Sequence, residues 1–142
     1  MFMGEYHYNI DEKGRITIPS KFRAALGYEF IITRGLDNCL FVYAKDEWNE
    51  IIKKYKDLPN TKEASMFRRV FLSGAIECTI DKQGRTNLSA PLMSYASLSK
   101  ECVIIGVSDH LEIWDSKVWQ DFMEDASDIS AIADNLFADK NA

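Results

Sequence analysis

The sequence predicts an α+β, β-rich protein built from two tandem copies of one unit, with helices between and after them. Three observations carry that reading. Short segments alternate apolar and polar residues with period 2: Tyr6, Tyr8 and Ile10 against Glu5, His7, Asn9 and Asp11, and again Ile76, Cys78 and Ile80. The chain also resembles itself. At an offset of 70, Gly4–Ile18 pairs with Gly74–Leu88 through five identities in fifteen positions, namely Gly4/Gly74, Ile10/Ile80, Asp11/Asp81, Gly14/Gly84 and Arg15/Arg85; average usage gives about one. At an offset of 71, Gly35/Gly106, Leu40/Leu111 and Trp48/Trp119 match, with Val42/Ile113 and Tyr43/Trp114 alike, so a one-residue insertion is expected between the blocks. Finally, apolar residues outside the repeats fall at helical spacing.

Each element follows from local chemistry. Asp11-Glu12-Lys13-Gly14 and Asp81-Lys82-Gln83-Gly84 read as hairpin turns. Asp accepts a bond from a backbone N–H two residues on, and Gly tolerates the positive φ that closes the turn. A second strand follows, with Ile16 and Ile18 inward and Arg15 and Thr17 outward. Pro19-Ser20 opens a short helix through Phe22, Ala25 and Leu26, which Gly27 ends. Phe30 to Thr33 and Leu40 to Tyr43 are strands around a turn at Gly35-Leu36-Asp37-Asn38; Cys102 to Ile105 and Leu111 to Trp114 are their counterparts. Trp48, Ile51, Ile52 and Tyr55 mark one connecting helix, and Phe67, Val70 and Phe71 a second after Leu58-Pro59-Asn60. Helix also covers Trp119 to Phe137, with a break near Ser127-Asp128. The expected organisation is a first repeat at 5–47, a helical connector at 48–75, a second repeat at 76–119 and an acidic helical segment at 120–142.

Composition excludes several classes. With 46% hydrophobic and 12% aromatic residues the 142-residue chain can bury a core, so wholesale disorder is excluded. Apolar runs reach only about five residues, far short of the twenty or so a membrane helix needs. Met1-Phe2-Met3-Gly4-Glu5 lacks a basic n-region, so no signal peptide is expected. Cys39, Cys78 and Cys102, odd in number and far apart, fit buried thiols in a reducing cytoplasm. The net charge of −5 is a C-terminal property: nine acids against Lys117 lie between Asp109 and Asp139, and residues 1–108 hold 15 basic against 13 acidic residues. A face for a polyanion therefore remains available in the repeats.

The Asp-x-x-Gly-Arg turn, followed by Ile16-Thr17-Ile18-Pro19 and a short helix, resembles the AbrB-like swapped-hairpin DNA-binding domains. Two copies with Asp11/Arg15 and Asp81/Arg85, in a chain of this length, resemble the MraZ family of transcriptional regulators of the bacterial division and cell-wall gene cluster. The resemblance covers residues 4 to about 125. It implies tandem swapped-hairpin halves forming a pseudo-two-fold double-split β-barrel with peripheral helices. It also implies ring-like homo-oligomers, nucleoid association and binding to promoter repeats in double-stranded DNA.

On this reading Arg15 and Arg85 contact bases or phosphates, while Lys13, Lys21, Arg23 and Lys82 contact phosphates. Asp11, Gly14, Asp81 and Gly84 form the turns, and the two carboxylates orient the arginines. Copy two departs from copy one: Pro19 is matched by Ser89 with Pro91 displaced, Arg23 by Met93 and Lys13 by Gln83. Arg85→Ala is accordingly expected to be milder than Arg15→Ala. His7 and His110 read as isolated, without metal-ligand spacing. No Gly-x-Ser-x-Gly, Walker loop or neighbouring Cys–His pair is present, so no catalysis, cofactor or small-molecule substrate is expected. The rival reading is an antitoxin-like interaction module whose acidic segment, Asp121 to Phe137, covers a partner protein.

Overall fold

The computed structural model describes residues 1–138; positions 139–142 of the expected C-terminal segment, Asp139 of the acidic run among them, lie outside the described residues. Copy one contributes β1 (Phe2–Asn9), β2 (Arg15–Thr17), α1 (Ser20–Leu26), β3 (Glu29–Arg34) and β4 (Leu40–Ala44). The connector forms α2 (Lys45–Lys56) and α3 (Lys62–Ser73). Copy two repeats the order as β5 (Ile76–Thr79), β6 (Arg85–Asn87), α4 (Ala90–Tyr95), β7 (Glu101–Ser108) and β8 (Leu111–Asp115). Then come α5 (Ser116–Asp125) and α6 (Ile129–Phe137), separated at the expected break. Side-chain caps set the helix starts: the Thr61 hydroxyl accepts from Ala64 N, Ser89 from Leu92 N, and Asp115 from Lys117 N and Val118 N. Gly27, at φ +84°, ends α1.

The copies interlock. The main sheet runs β1-β7-β8-β4-β3-β5, all antiparallel, and among the described residues β2 pairs with β6 alone. Each copy's first strand thus pairs with the third strand of the other: Tyr8 opposes Cys102, and Cys78 opposes Phe30. The same relation holds for Ile10 N–H to Lys100 O and Ile80 N–H to Tyr28 O. A pseudo-two-fold axis passes by the opposed pairs Ile16/Thr86 and Phe41/Glu112. The matching Phe30/Cys102 lies at an offset of 72, whereas the flanking matches lie at 70 and 71. The expected single insertion is therefore two residues added between α4 and β7 and one removed from the β7–β8 turn.

Two further expectations change. The sheet does not close into a barrel, because β1 and β5 are left as its edges and β2·β6, three residues per strand, forms a separate ladder. Nor do the strands flanking each Asp-x-x-Gly turn pair with one another among the described residues. The main chain after the turn is already engaged with the other copy, through Ile18 N–H to Gly84 O and Leu88 N–H to Gly14 O.

Both faces of the sheet are covered, which explains why Phe30-Ile31-Ile32-Thr33 is buried without alternation. One face packs Phe30, Ile32, Val42, Ile104 and Ile113 beneath Ile16, Ile18, Phe22, Leu26, Leu88 and Leu92 of the small ribbon, α1 and α4. The opposite face carries Phe41, Tyr43 and Trp114, covered by Trp48, Ile51 and Tyr55 of α2, Phe67 and Phe71 of α3 and Trp119 of α5. The Thr33 hydroxyl donates to Phe71 O at 2.5 Å and Arg34 Nη1 to Val70 O at 2.8 Å, which fastens α3 to β3. All three cysteines are free and buried, as expected of small apolar groups; burial pushes the Cys102 thiol up to about 12. Among the described residues no helix is long and apolar enough to cross a membrane.

Candidate nucleic-acid interface

The two Asp-x-x-Gly-Arg turns share one geometry. Asp11 Oδ1 accepts from Lys13 N and Arg15 N at 2.9 Å each, and Oδ2 accepts from Arg15 Nε at 2.7 Å. Asp81 Oδ1 accepts from Gln83 N at 2.9 Å and Arg85 N at 2.8 Å, and Oδ2 from Arg85 Nε at 2.9 Å. Main-chain bonds from Gly14 N–H to Asp11 O and from Gly84 N–H to Asp81 O, both 3.0 Å, close the turns. The glycines have φ of +77° and +81°, where a Cβ is strained. The backbone N–H of Arg15, with the guanidinium of the same residue, holds the Asp11 carboxyl below its ordinary range, and Arg85 does the same for Asp81. Each Asp is thus both turn former and arginine orienter. With Nε held, the paired Nη groups of Arg15 and Arg85 remain available to an outside acceptor.

These turns frame a short antiparallel ribbon, β2·β6, made of one strand from each copy. Ile16 and Thr86 are opposed and buried, so alternation turns the next positions outward. Arg15 stands opposite Asn87 and Thr17 opposite Arg85, which makes the two arginines diagonal neighbours, about 7–8 Å apart in a ladder of this kind. Sequence reasoning turned Thr17 outward beside Arg15 but did not single out Asn87 as a member of this face. The signal was present: the inward pair Ile16/Ile18, transferred to Thr86/Leu88, leaves Arg85 and Asn87 outward.

The interlocking redistributes the cations. Lys13 is exposed at the first turn and Lys82 at the second. Arg23, expected beside the copy-one turn, sits against the copy-two turn instead. A Cβ built on Gly84 would lie 2.1 Å from Arg23 Cζ, and Arg23 Nε donates to Ile18 O at 2.9 Å. Its counterpart Met93 lies over the copy-one turn, with Cε 3.5 Å from a Cβ on Gly14. The first turn therefore combines Lys13 and Arg15 with Met93, and the second combines Lys82 and Arg85 with Arg23. Lys21 is exposed on α1 two residues before Arg23, a spacing that puts the two on different sides of the helix. The turns, ribbon and α1 carry six cations (Lys13, Arg15, Lys21, Arg23, Lys82 and Arg85) against Asp11, Glu12 and Asp81, in a chain of net charge −5.

Neither histidine is isolated. His7 Nε2 lies 2.9 Å from Glu5, and His110 lies between Asp109 (2.7 Å) and Glu112 (2.9 Å). His110 also packs against the rings of Phe41 and Tyr43. Burial opposes its charge, but hydrogen bonds to Glu112 and Asp109 prevail and raise its pKa. It belongs to the aromatic face of the sheet rather than to the ribbon.

With this geometry in view, the comparison with known families is decisive for lineage. The family described as "MraZ protein, putative antitoxin-like" matches twice, over residues 1–70 and 71–140, so each match takes in one Asp–Arg turn. The chain belongs to the MraZ family, as a tandem of two of its domains.

Proposed function

We propose that the protein is a sequence-specific DNA-binding transcriptional regulator that occupies promoter repeats through the β2·β6 ribbon and performs no chemical step. The observation that carries this reading is the pair of matching turns at the ends of one ribbon, each holding an arginine by Nε and leaving its Nη groups without a partner among the described residues. A two-stranded ribbon fits a major groove about 12 Å wide, and an arginine fork matches guanine O6 and N7. Lys13, Lys21, Arg23 and Lys82 then serve phosphates. Cross-copy pairing supports reading each half as an AbrB-like swapped hairpin. Family membership supports a regulatory role at the division and cell-wall gene cluster, including the protein's own promoter, and a place at the nucleoid. Footprinting of the DNA upstream of its own gene tests the reading: the wild-type chain should protect repeated elements and Arg15→Ala should not. Absence of protection by the assembled protein at low salt would overturn it.

The same reading includes a ring-like homo-oligomer of more than four chains, which adds weak ribbon contacts through effective concentration. Helix α6 supports this. None of its nine residues is fully buried in its own chain, and Ile129 is 71%, Leu136 63% and Phe137 82% exposed. A helix so short is marginal alone. Its acidic surroundings (Glu124, Asp125, Asp128 and Asp134) complement the exposed face of α3, where Lys62 and Arg69 flank Met66 and Val70. A contact of one chain's α6 with the next chain's α3 is heterologous, the kind of contact that forms a ring when the rotation between neighbours closes. Light scattering that finds a monomer at micromolar concentration would refute it. The same unpartnered helix favours the second reading, an antitoxin-like module whose α6 binds a small basic protein; stoichiometric copurification of such a protein would support that reading.

A further inference from the structure

The outward face of the β2·β6 ribbon is a square of four side chains. Arg15 stands opposite Asn87 at one end and Arg85 opposite Thr17 at the other, across the buried pair Ile16 and Thr86. The pseudo-two-fold axis at that buried pair exchanges Arg15 with Arg85, which are alike, and Thr17 with Asn87, which are not. Asn87 is exposed and Thr17 partly so. The hydrogen bonds that build the turns engage Asp11, Lys13 and Arg15 in one and Asp81, Gln83 and Arg85 in the other, and leave Thr17 and Asn87 out. The two ends of the square lie two residues apart along an extended strand, about 7 Å, which matches two base-pair steps of a duplex.

We propose that Asn87 and Thr17 give the ribbon a direction on DNA: the Asn87 amide reads an adenine beside the guanine of Arg15, and the Thr17 methyl packs on a thymine beside the guanine of Arg85. The inference rests on the DNA-binding reading above and adds its specificity-determining residues. Two arginine forks related by a two-fold axis match guanines on opposite strands, and alone they would specify a palindrome. The asparagine amide carries the donor and acceptor that match adenine N7 and N6, whereas threonine brings a methyl group to that of thymine. Unlike side chains at symmetry-related positions therefore select unlike bases there, and the element read is not palindromic. The cations also differ between the ends, with Lys13 at the first turn and Lys82 with Arg23 at the second. Those groups serve phosphates, which are the same in every sequence, so they carry no base preference. The direction comes from the square.

Selection from a pool of random-sequence duplexes by the full chain tests it, with light scattering to confirm that each variant assembles as the wild type does. The wild-type motif should hold two guanines on opposite strands with unlike neighbours. Asn87→Ala should lower the adenine preference about five- to a hundredfold at one position, with the guanine preferences and the salt slope of binding unchanged. Asn87→Thr should make the motif palindromic with thymine on both sides, and Thr17→Asn should make it palindromic with adenine on both. Thr17→Val, which keeps a methyl group, should retain the thymine preference, and Thr17→Ser should lose it. An unchanged motif in Asn87→Ala and Asn87→Thr overturns the proposal, and if Arg15→Ala still abolishes selection the ribbon reading stands without it. Affinity lost equally at every position, with the motif intact, marks a structural role for the two residues and overturns it as well. An assembled wild-type chain that selects no motif overturns the ribbon reading itself, and this inference with it.

Discussion

Alanine at Gly84 should cost more stability than alanine at Gly14, and the difference should disappear when Arg23 is removed. Both glycines have positive φ, +77° and +81°, so either substitution incurs the left-handed penalty of about 1–2 kcal/mol. Their surroundings differ. A Cβ on Gly14 would meet Leu88 O and Met93 Cε at 3.5 Å, an ordinary contact. On Gly84 it would lie 2.1 Å from Arg23 Cζ, so the guanidinium must leave. Swinging a flexible side chain outward is cheap in itself. What is lost is its bond to Ile18 O at 2.9 Å, worth about 1 kcal/mol at a part-buried site. Gly14→Ala should therefore cost about 1–2 kcal/mol and Gly84→Ala about 2–3 kcal/mol. In an Arg23→Ala background, Gly84→Ala should fall to the Gly14 value, a coupling of about 1 kcal/mol. Urea unfolding at fixed protein concentration measures all four variants, since assembly makes the midpoint concentration-dependent. Equal costs at both glycines in both backgrounds would mean that Arg23 does not cover the second turn.

Four other outcomes follow from the same geometry. Because Arg23 reinforces the second turn, Arg85→Ala should weaken operator binding as much as Arg15→Ala, each by about 1–3 kcal/mol per engaged base contact; binding across a salt series that spares Arg85→Ala would restore the asymmetry expected from sequence. Asp11→Asn keeps the Oδ1 acceptor for two backbone N–H groups while losing the Arg15 pair, so it should be milder for folding than Asp11→Ala, with DNA affinity reduced in both; equal unfolding midpoints would contradict this. Stability should fall on both sides of a window between about pH 4 and pH 6.5, the alkaline loss running from there up to the raised His110 pKa. Below it the depressed carboxyls of Asp11, Asp81 and Asp115 take up protons; above it His110, whose contribution is complete below its ordinary 6.5, loses its charge beside Glu112 and Asp109. His110→Phe should flatten the alkaline limb of urea midpoints against pH, and a wild-type midpoint that rises between pH 6 and 8 would contradict the sign. Deleting Asp128 to Ala142 should reduce assembly in light scattering while operator preference per ribbon persists; lost preference with intact assembly would place α6 at the DNA.

Element identity was legible because local rules and burial agreed. Period-2 alternation marked β1 and β5, Pro19 and Gly27 marked the ends of α1, and the break at Ser127-Asp128 separated α5 from α6. The duplication was legible in the spacing of Asp, Gly and Arg, since those residues are demanded by a turn that only they close. The barrel was not borne out. Whether a sheet closes depends on strand length and on which edges remain, and a three-residue β2 carries no signature of the partner it takes. The tightness of the β7–β8 turn was hidden for a related reason, because one residue removed there partly cancels two added before β7, and self-comparison reports only the sum.

The misplacement of Arg23 shows what one-dimensional reading omits in an interlocked duplication. In sequence, Arg23 is eight residues from Arg15 and sixty-two from Arg85, so proximity assigns it to the first turn. In the fold, α1 follows β2, whose end pairs with the opposite turn through Ile18 N–H to Gly84 O, and the helix therefore delivers Arg23 to copy two. The rule is symmetric, since Leu88 N–H to Gly14 O carries α4 and Met93 to copy one. Each turn is thus a composite of both repeats, and a substitution in one repeat's helix is felt at the other repeat's arginine. Copy two's loss of a cation at Met93 accordingly depletes the first turn, while copy one's Arg23 supplies the second. Repeat-by-repeat counting gave copy one four cations and copy two two; counting by turn, with Lys21 apart on the outer side of α1, gives Lys13 and Arg15 against Lys82, Arg85 and Arg23. The repeat with fewer basic residues of its own forms the better-supplied turn.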